Sequence, residues 1–577
     1  MGVARSGCVP YRKAPETMLT FFRVRVRMYL PRLTRSRENY KKHYPKPNLF
    51  FLSMFQRFKK EEAKPFVVPE EIGEGVPMPP HAPDPSIYTV KYTGPDDPTN
   101  PHNWKIAKKC VMLFSLAFNL LVASWGSAIG APALPVLMEM YHIGQPVAAL
   151  TVSLYVIGFA VGPIFWGPIS SIYGRRNPLI VGTFGMLVFF FAAATAENFQ
   201  TYVISRFFQG AFGAAPLTIG PAIAGDIFNA KSRGYSMSVV SFCVMAGPLI
   251  APIVGGYITQ SYLGWRWTQY ITGIMAGLSL AILFFITPET YPKTILNKKA
   301  HKLRDNTGNW AIQGPGEFER VEIPILKILL GAFVILFQEV ILGLVTIYHG
   351  LIYSILYMCL EAVPIVFSGY NFPGANAYLP YIAILVGAFT VCSFNGLVLD
   401  PWTNKQLDIR KKPVLPENRL ILMMISGFVL TAGIFWMCWG GAYAIHVHWI
   451  VPCIGAGFLG FGMVGIFISI FNYILDAYLM NSAMAFAANT LLRSGMASAF
   501  PLFSSIMFRN LGSQWAGTLI GCLSAIMIPI PFVFYLYGPK LRSMSKLAVN
   551  LDEFNPTQTQ QEDNDETESV EKKDAQA

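Results

Sequence analysis

The chain has 577 residues, of which 53% are hydrophobic and only 14% charged, with a formal net charge of +12 and a mean hydropathy of +0.41. A soluble domain carries about 25% charged residues, so this composition excludes a cytosolic enzyme, a disordered regulator and a disulfide-stapled secreted domain. It points to an integral membrane protein whose surplus positive charge has a particular location, and not to a nucleic-acid partner.

Residues 1–107 read as a basic, proline-bearing arm, largely disordered. Between Arg23 and Lys60 it holds twelve Lys and Arg against one acid, Glu38, interleaved with Phe21, Phe22, Tyr29, Phe50, Phe51 and Phe55. Each basic residue near an anionic leaflet contributes about 1 kcal/mol, so the arm is expected to contact inner-leaflet lipid; the alternative is a solvated arm that only enforces topology. No secretory signal precedes the first span, which is expected to act as its own insertion signal.

Twelve segments then reach the roughly 20 apolar residues that a core about 30 Å thick requires. They are 108–129, 146–170, 178–196, 200–224, 235–259 and 268–287, then 342–367, 377–398, 419–439, 448–476, 482–505 and 514–537. The expected fold is all-α, with six-helix bundles at 108–287 and 342–538 joined by a central loop at 288–341. Such a six-plus-six division suits a transporter with its substrate site between pseudo-symmetric halves.

Alternate loops carry sixteen basic residues: Arg175 and Arg176; Lys231 and Arg233; seven in 288–327; and five in 399–419. The opposite loops carry Arg266 and Arg509 alone. Positive loops stay inside, so both termini are predicted to be cytoplasmic. The last segment, 539–577, is an acidic tail expected to be disordered, with nine acids against Lys572 and Lys573 from Asp552 onward.

The eight cysteines are scattered without a CxxC pair, so no disulfide framework or metal site is expected. There is no GxxxxGK[ST] phosphate loop, HExxH or GxSxG. No enzyme activity and no cofactor are therefore expected, and uphill transport would have to draw on an ion gradient.

Several local patterns stand in order. Gly167, Ser171, Gly174, Arg175 and Arg176 mark the turn after span 2. Arg206, Gln209 and Gly210 lie in span 4, and Gly247, Pro248, Pro252, Gly255 and Gly256 in span 5. Pro288, Glu289, Thr290, Tyr291 and Pro292 follow span 6. Pro101, His102, Asn103 and Trp104 precede span 1, while Asn472, Asp476 and Tyr478 end span 10, and Asn489 and Arg493 lie in span 11. Together, over roughly residues 88–545, these patterns resemble the major facilitator superfamily, and within it the fungal twelve-helix drug:proton antiporter group, especially polyamine exporters. The resemblance implies a loop latch at 167–176, a buried arginine in span 4 that couples protons, and an antiporter signature in span 5. Ser171 departs from it, because the family has an acidic residue there that helps latch the cytoplasmic gate. The latch is accordingly expected to be looser or placed elsewhere.

Intramembrane charges are costly and functional by default, which singles out Arg206, Glu361 and Arg493, with Asp226, Glu339 and Asp476 near the helix ends. Arg206, Gln209, Gly210 and Gly213 share a helical face. Arg206 either favours proton release from a nearby carboxylate or holds packing by binding helix-end carbonyls. Tyr353, Tyr357 and Glu361, spaced by four, offer two rings and a carboxylate to an organic cation, which would compete with a proton for Glu361. The span 5 series is expected to break helix regularity and to permit flexing and close contact. Asn472 with Asp476, and Asn489 with Arg493, are polar i,i+4 pairs expected to bridge spans 10 and 11, the first as structural glue and the second lining the cavity. Asp226, Lys231, Arg233 and Gly234 are gate candidates. His349 is a minor proton-path candidate beside His446 and His448.

The sequence reads as a monomeric, multi-pass proton-coupled antiporter. Its expected cargo is polyamines or cationic and amphiphilic drugs, and its expected place the plasma membrane, with the vacuolar membrane as alternative. The competing readings are an uptake symporter or facilitator of the same fold and a non-transporting nutrient receptor.

Overall fold

The computed structural model describes residues 88–93, 96–307, 312–315, 317, 331–410, 416–478, 481–543 and 545. The basic stretch from Arg23 to Lys60, the acidic tail beyond Asp552 and much of the central loop lie outside them. Among the described residues the elements are helical: α1 (Ile106–Ala128), α2 (Leu134–Tyr141), α3 (Gln145–Tyr173), α4 (Arg176–Ala194), α5 (Phe199–Ile227), α6 (Ala230–Gln260), α7 (Arg266–Ile286), α8 (Pro292–Thr307), α9 (Gly331–Gln338), α10 (Val340–Val366), α11 (Tyr381–Phe394), α12 (Asp400–Arg410), α13 (Leu420–Ala442), α14 (Ile450–Ala477), α15 (Ser482–Met527) and α16 (Pro529–Ser543).

Among the described residues, eleven helical stretches are long and apolar enough to cross a membrane. The difference from the twelve expected lies at the end of the chain, where one stretch, Ser482–Gly538, runs 57 residues across both expected final spans. No loop separates them, but Gly512 has φ 79° and ψ 158° inside it, a conformation that glycine adopts without a Cβ clash. Large apolar side chains such as Phe114, Phe285, Ile526 and Leu536 face outward, each at least 67% exposed. On a molecule of this hydropathy, that surface is the lipid-facing one, and the chain is a multi-pass membrane protein.

Helices of the first half pack chiefly on one another, α3 with α5, α1 with α6 and α4 with α7, and those of the second half do the same, α13 with α14, α11 with α14 and α10 with α15. Between halves, α15 lies along α3, and α6 touches α11 and α14. Small residues set the closeness, as expected where lipid supplies no hydrophobic drive between helices. At Gly210 an added Cβ would stand 1.9 Å from the Tyr155 carbonyl, and at Gly460 2.0 Å from that of Ile384.

Three features depart from the sequence reading. The helix expected to break at Pro248 and Pro252 runs uninterrupted from Ala230 to Gln260. The end of span 8 holds a π-turn, Asn395–Leu399, before α12. Residues 88–93 and 96–104, assigned to the disordered arm, include an ordered contact with the central loop: Val90 packs with Leu296, Ala300 and Ile312. There the Asp97 carboxylate accepts from the Thr93 and Thr99 main chains and from Lys299 Nζ at 3.1 Å. Burial alone would push its pKa up, but these bonds outweigh it and hold the carboxyl well below the ordinary range.

Candidate functional site

Arg206, on α5, is fully buried. Its Nε donates to the Thr151 carbonyl at 2.9 Å, one terminal nitrogen to the carbonyl of Gly126 at 2.7 Å and to Gln209 Oε1 at 3.0 Å, and the other to the Ser127 carbonyl at 2.9 Å. Its guanidinium also stacks 4.5 Å from the Tyr155 ring centroid. Four of five donors are thus taken by α1, α3 and its own helix, and no carboxylate is among the partners. The guanidinium thereby ties α1 and α3 to α5.

Arg493, on α15, is equally buried and differently surrounded. None of its three nitrogens has a hydrogen-bond partner among the described residues. The guanidinium carbon instead lies 4.3 Å from the Tyr353 ring centroid, 5.1 Å from that of Phe467 and 5.9 Å from that of Phe471. Beside it, His349 Nδ1 meets Asn489 Oδ1 at 3.0 Å, and Asn489 donates to Thr346 Oγ1 at 3.1 Å. Asn489 therefore joins α15 to α10 and not to α14, unlike the span 10–11 bridge expected of it.

The two arginines are linked across the interface. Tyr357 donates to Ser127 Oγ at 2.8 Å, and Ser127 donates onward to the Ser124 carbonyl at 2.6 Å. Tyr353 and Tyr357 share a hydrogen bond of 3.3 Å. Because the Tyr357 proton is spent on Ser127, Tyr353 is the donor of that pair. The string from Arg493 through Tyr353, Tyr357 and Ser127 to Arg206 crosses from the second half to the first. The Tyr353 face that the sequence offers to an organic cation is covered by Arg493. Glu361, a turn beyond Tyr357, is only partly buried.

At the end of the helices that carries the basic loops, the halves are held by charge. Arg233 of α6 pairs with Asp476 of α14 at 2.7 Å; Asp476 also takes Arg419 at 3.3 Å, and Arg419 pairs with Asp400 at 2.9 Å. Asn395, turned inward by the π-turn, donates to Asp400 at 3.1 Å and to Ser238 Oγ at 2.9 Å. Ser238 and Arg233 are both on α6, so the contacts close a ring. Asp476 is thus part of a latch between halves, a correction to the span 10–11 glue expected of it; Asn472 only back-bonds to the Ile468 carbonyl at 3.0 Å. Gly234 belongs here because a Cβ would stand 2.1 Å from Asp400 Oδ1.

The turn after α3 forms a second cluster at the same end. Asp226 pairs with Arg175 at 3.2 Å, rather than with Lys231 or Arg233. Glu289 accepts from the Arg175 and Arg176 main chains at 2.8 and 3.2 Å, placing a carboxylate at the N-terminus of α4, where the helix dipole favours it. Arg175 also stacks 4.4 Å from Tyr291. Gly174 has φ 85°, and a Cβ there would meet Glu289 at 2.5 Å. Ser171 merely donates to the Gly167 carbonyl at 3.2 Å, while Gly167 lies against Ala487 of α15. At the other end the contacts between halves are neutral: the Ala375 main chain donates to Gln260 Oε1 at 2.8 Å, Tyr257 donates to Asn376 at 2.6 Å, and Gln145 donates to Ser505. In the span 5 series, Gly247 and Gly255 admit α1 and the turn after it, and Gly256 admits Tyr378.

The sequence reading passes over Ser127, Glu289, Asp400, Arg419, Phe467 and Phe471 as site residues. Asp400 and Arg419 are visible there only as loop charges, and Phe467 and Phe471 as ordinary apolar residues.

Comparison with known proteins agrees with this architecture. A sequence model of the Major Facilitator Superfamily matches residues 116–501. The major facilitator superfamily multidrug transporter FLU1 of Candida albicans is 42% identical over 487 residues, covering 83% of this chain and 79% of its own. The multidrug transporter TPO1_2 of Candida glabrata is 42% identical over 484 residues, 83% of each chain. Among solved structures, the human organic anion transporter MFSD10 aligns with a TM-score of 0.53 at 15% identity over 75% of this chain and 100% of its own. The proton:xylose symporter XylE gives 0.54 at 16% over 74% and 96%; at such identities the likeness is one of fold alone. The chain, a multi-pass membrane protein and not an enzyme, belongs to the major facilitator superfamily of transporters.

Proposed function

We propose that the chain is a proton-coupled antiporter that exports polyamines and cationic or amphiphilic drugs by alternating access between two six-helix halves. The observation that carries this reading is the buried polar string crossing the interface between ends that are both closed by contacts between the halves. That is the arrangement expected of a carrier caught between inward- and outward-open forms. Spanning length supports twelve crossings: the stretch Ser482–Gly538, 57 residues long, is far too long at about 1.5 Å per residue for one crossing of a core about 30 Å thick, and Gly512 supplies the break. The bias of Lys and Arg between loops supports cytoplasmic termini, with the charged ring as the cytoplasmic gate and the neutral contacts as the outer one. Drug cargo follows from the names of the fungal relatives, and polyamines from the sequence motifs. The plasma membrane is the assigned location, with a monomer as the working unit and the basic arm on inner-leaflet lipid.

Glu361 is assigned the proton, exchanged against a cation that approaches the outer face of Tyr357. Arg206 fixes the first half, and Asn489 and Arg493 line the second. In proteoliposomes with an imposed pH gradient, labelled spermidine and a cationic drug are expected to move against their own gradients, and Glu361→Gln to abolish the coupling. Absence of pH-driven flux for either compound overturns the antiporter; binding without any flux would indicate a receptor. Unchanged flux in Glu361→Gln overturns only the role of that residue.

A further inference from the structure

The sequence motifs argue for cationic cargo, yet the most exceptional group in the core is a cation without a partner. Removing one guanidinium from water costs several kcal/mol even after relaxation, and each cation–π contact returns only about 0.5–2 kcal/mol. Arg493 has three such contacts and no hydrogen bond. The interior acids are engaged elsewhere: Asp226 with Arg175, Asp476 with Arg233 and Arg419, and Glu339 as acceptor from Tyr478 at 3.2 Å. Glu361 is eight residues beyond Tyr353 on the same helix, about 12 Å along its axis. His349, whose ring lies 4.0 Å from Phe467 and 5.5 Å from Phe471, also leaves its Nε2 unpartnered.

We infer that Arg493 is the charge-recognition element of a second subsite, one for amphiphilic organic carboxylates, with Tyr353, Phe467 and Phe471 as its apolar walls. A guanidinium presents parallel N–H groups that a carboxylate accepts two at a time, and the three rings suit a flat apolar body attached to it. The same rings reject an inorganic anion, which would leave most of its hydration unreplaced, and the fixed charge rejects a cation. Access lies along the interface. The Tyr353 hydroxyl reaches Ser127 of the opposite half through Tyr357, so separating the halves uncovers the box from the Tyr353 side. This subsite rests on the reading of the chain as an exporter for the ligand's route only; binding itself is independent of it.

The test uses the purified full-length chain with 2-naphthoate and its neutral isostere 2-naphthamide as probes, and binding is read by calorimetry. Naphthoate is expected to bind the wild type at least tenfold more tightly than the amide, and the ratio to fall to about one in Arg493→Gln. A wild-type ratio below tenfold overturns the subsite, as does an unchanged ratio in the variant. If Arg493→Gln does not fold, the wild-type ratio decides alone. Spermidine flux in the same preparation separates the two readings: selective naphthoate binding without flux leaves the subsite standing and removes the antiporter, while flux without naphthoate binding does the reverse.

Discussion

Arg206 and Arg493 are both fully buried and lie at opposite ends of one polar string, yet their surroundings have almost nothing in common. Arg206 donates to main-chain carbonyls of α1 and α3, groups that lose a charged donor if it leaves. Arg493 touches only ring faces, which lose little. A buried charge that satisfies its neighbours is structural cement, whereas a buried charge that satisfies nothing is a cost the fold retains for some other reason. Burial and residue type therefore do not assign a role; the inventory of partners does.

The largest expected effect comes from Arg206→Gln, which leaves the Gly126, Ser127 and Thr151 carbonyls without their donors. It is predicted to destabilise by about 3–5 kcal/mol, read as a lower unfolding midpoint in detergent and loss of monodisperse protein. An unchanged midpoint would erase the contrast. Arg493→Met is predicted to have the opposite sign, a gain of about 1–4 kcal/mol, because an apolar side chain of similar volume replaces an uncompensated charge. A loss there would show that Arg493 has a partner in the resting protein.

Smaller effects sharpen the comparison. Asp476→Asn removes the charge shared by Arg233 and Arg419 and is predicted to shift the population toward opening at the basic end by about tenfold, or about 1.4 kcal/mol. Spin-label distances across that end would report it, while the opposite end stays closed. Tyr357→Phe keeps the ring and deletes the bond to Ser127, at a cost of about 1 kcal/mol. It should loosen the link between the arginines without lowering the midpoint as Arg206→Gln does.

Much of the fold is legible in the sequence because a bilayer imposes one length on every crossing. The limits expected from apolar runs, such as 146–170 and 448–476, agree with α3 (Gln145–Tyr173) and α14 (Ile450–Ala477) to within three residues. The final pair is the exception: Arg509, Asn510, Gly512, Ser513 and Gln514 separate its two runs in the sequence, yet one stretch continues through them, interrupted by the backbone of Gly512. The site was less legible. Helical spacing placed Tyr353 and Tyr357 on one face, and Arg206, Gln209 and Gly210 on another. It could not tell which cation would cover Tyr353, since Arg493 arrives from a helix more than a hundred residues away. Nor could it pair Asp476 with Arg233 across 243 positions. Ser171 brings no charge to its turn, and the ion pair between the halves that the sequence did not single out is that of Arg233 with Asp476.

The two ends of the molecule differ in what an electrolyte does to them. In the closed form the pairs around Asp476 and Asp400 are at most 11% exposed and are shielded from ions, whose screening length is about 8 Å at physiological strength. Once the halves part, those four charged groups stand in water, and dissolved salt stabilises them there. The neutral contacts of Gln260, Tyr257 and Gln145 gain no such help. Raising ionic strength therefore favours opening at one end only, so the carrier's resting orientation becomes a property of the solution it faces as well as of its own sequence.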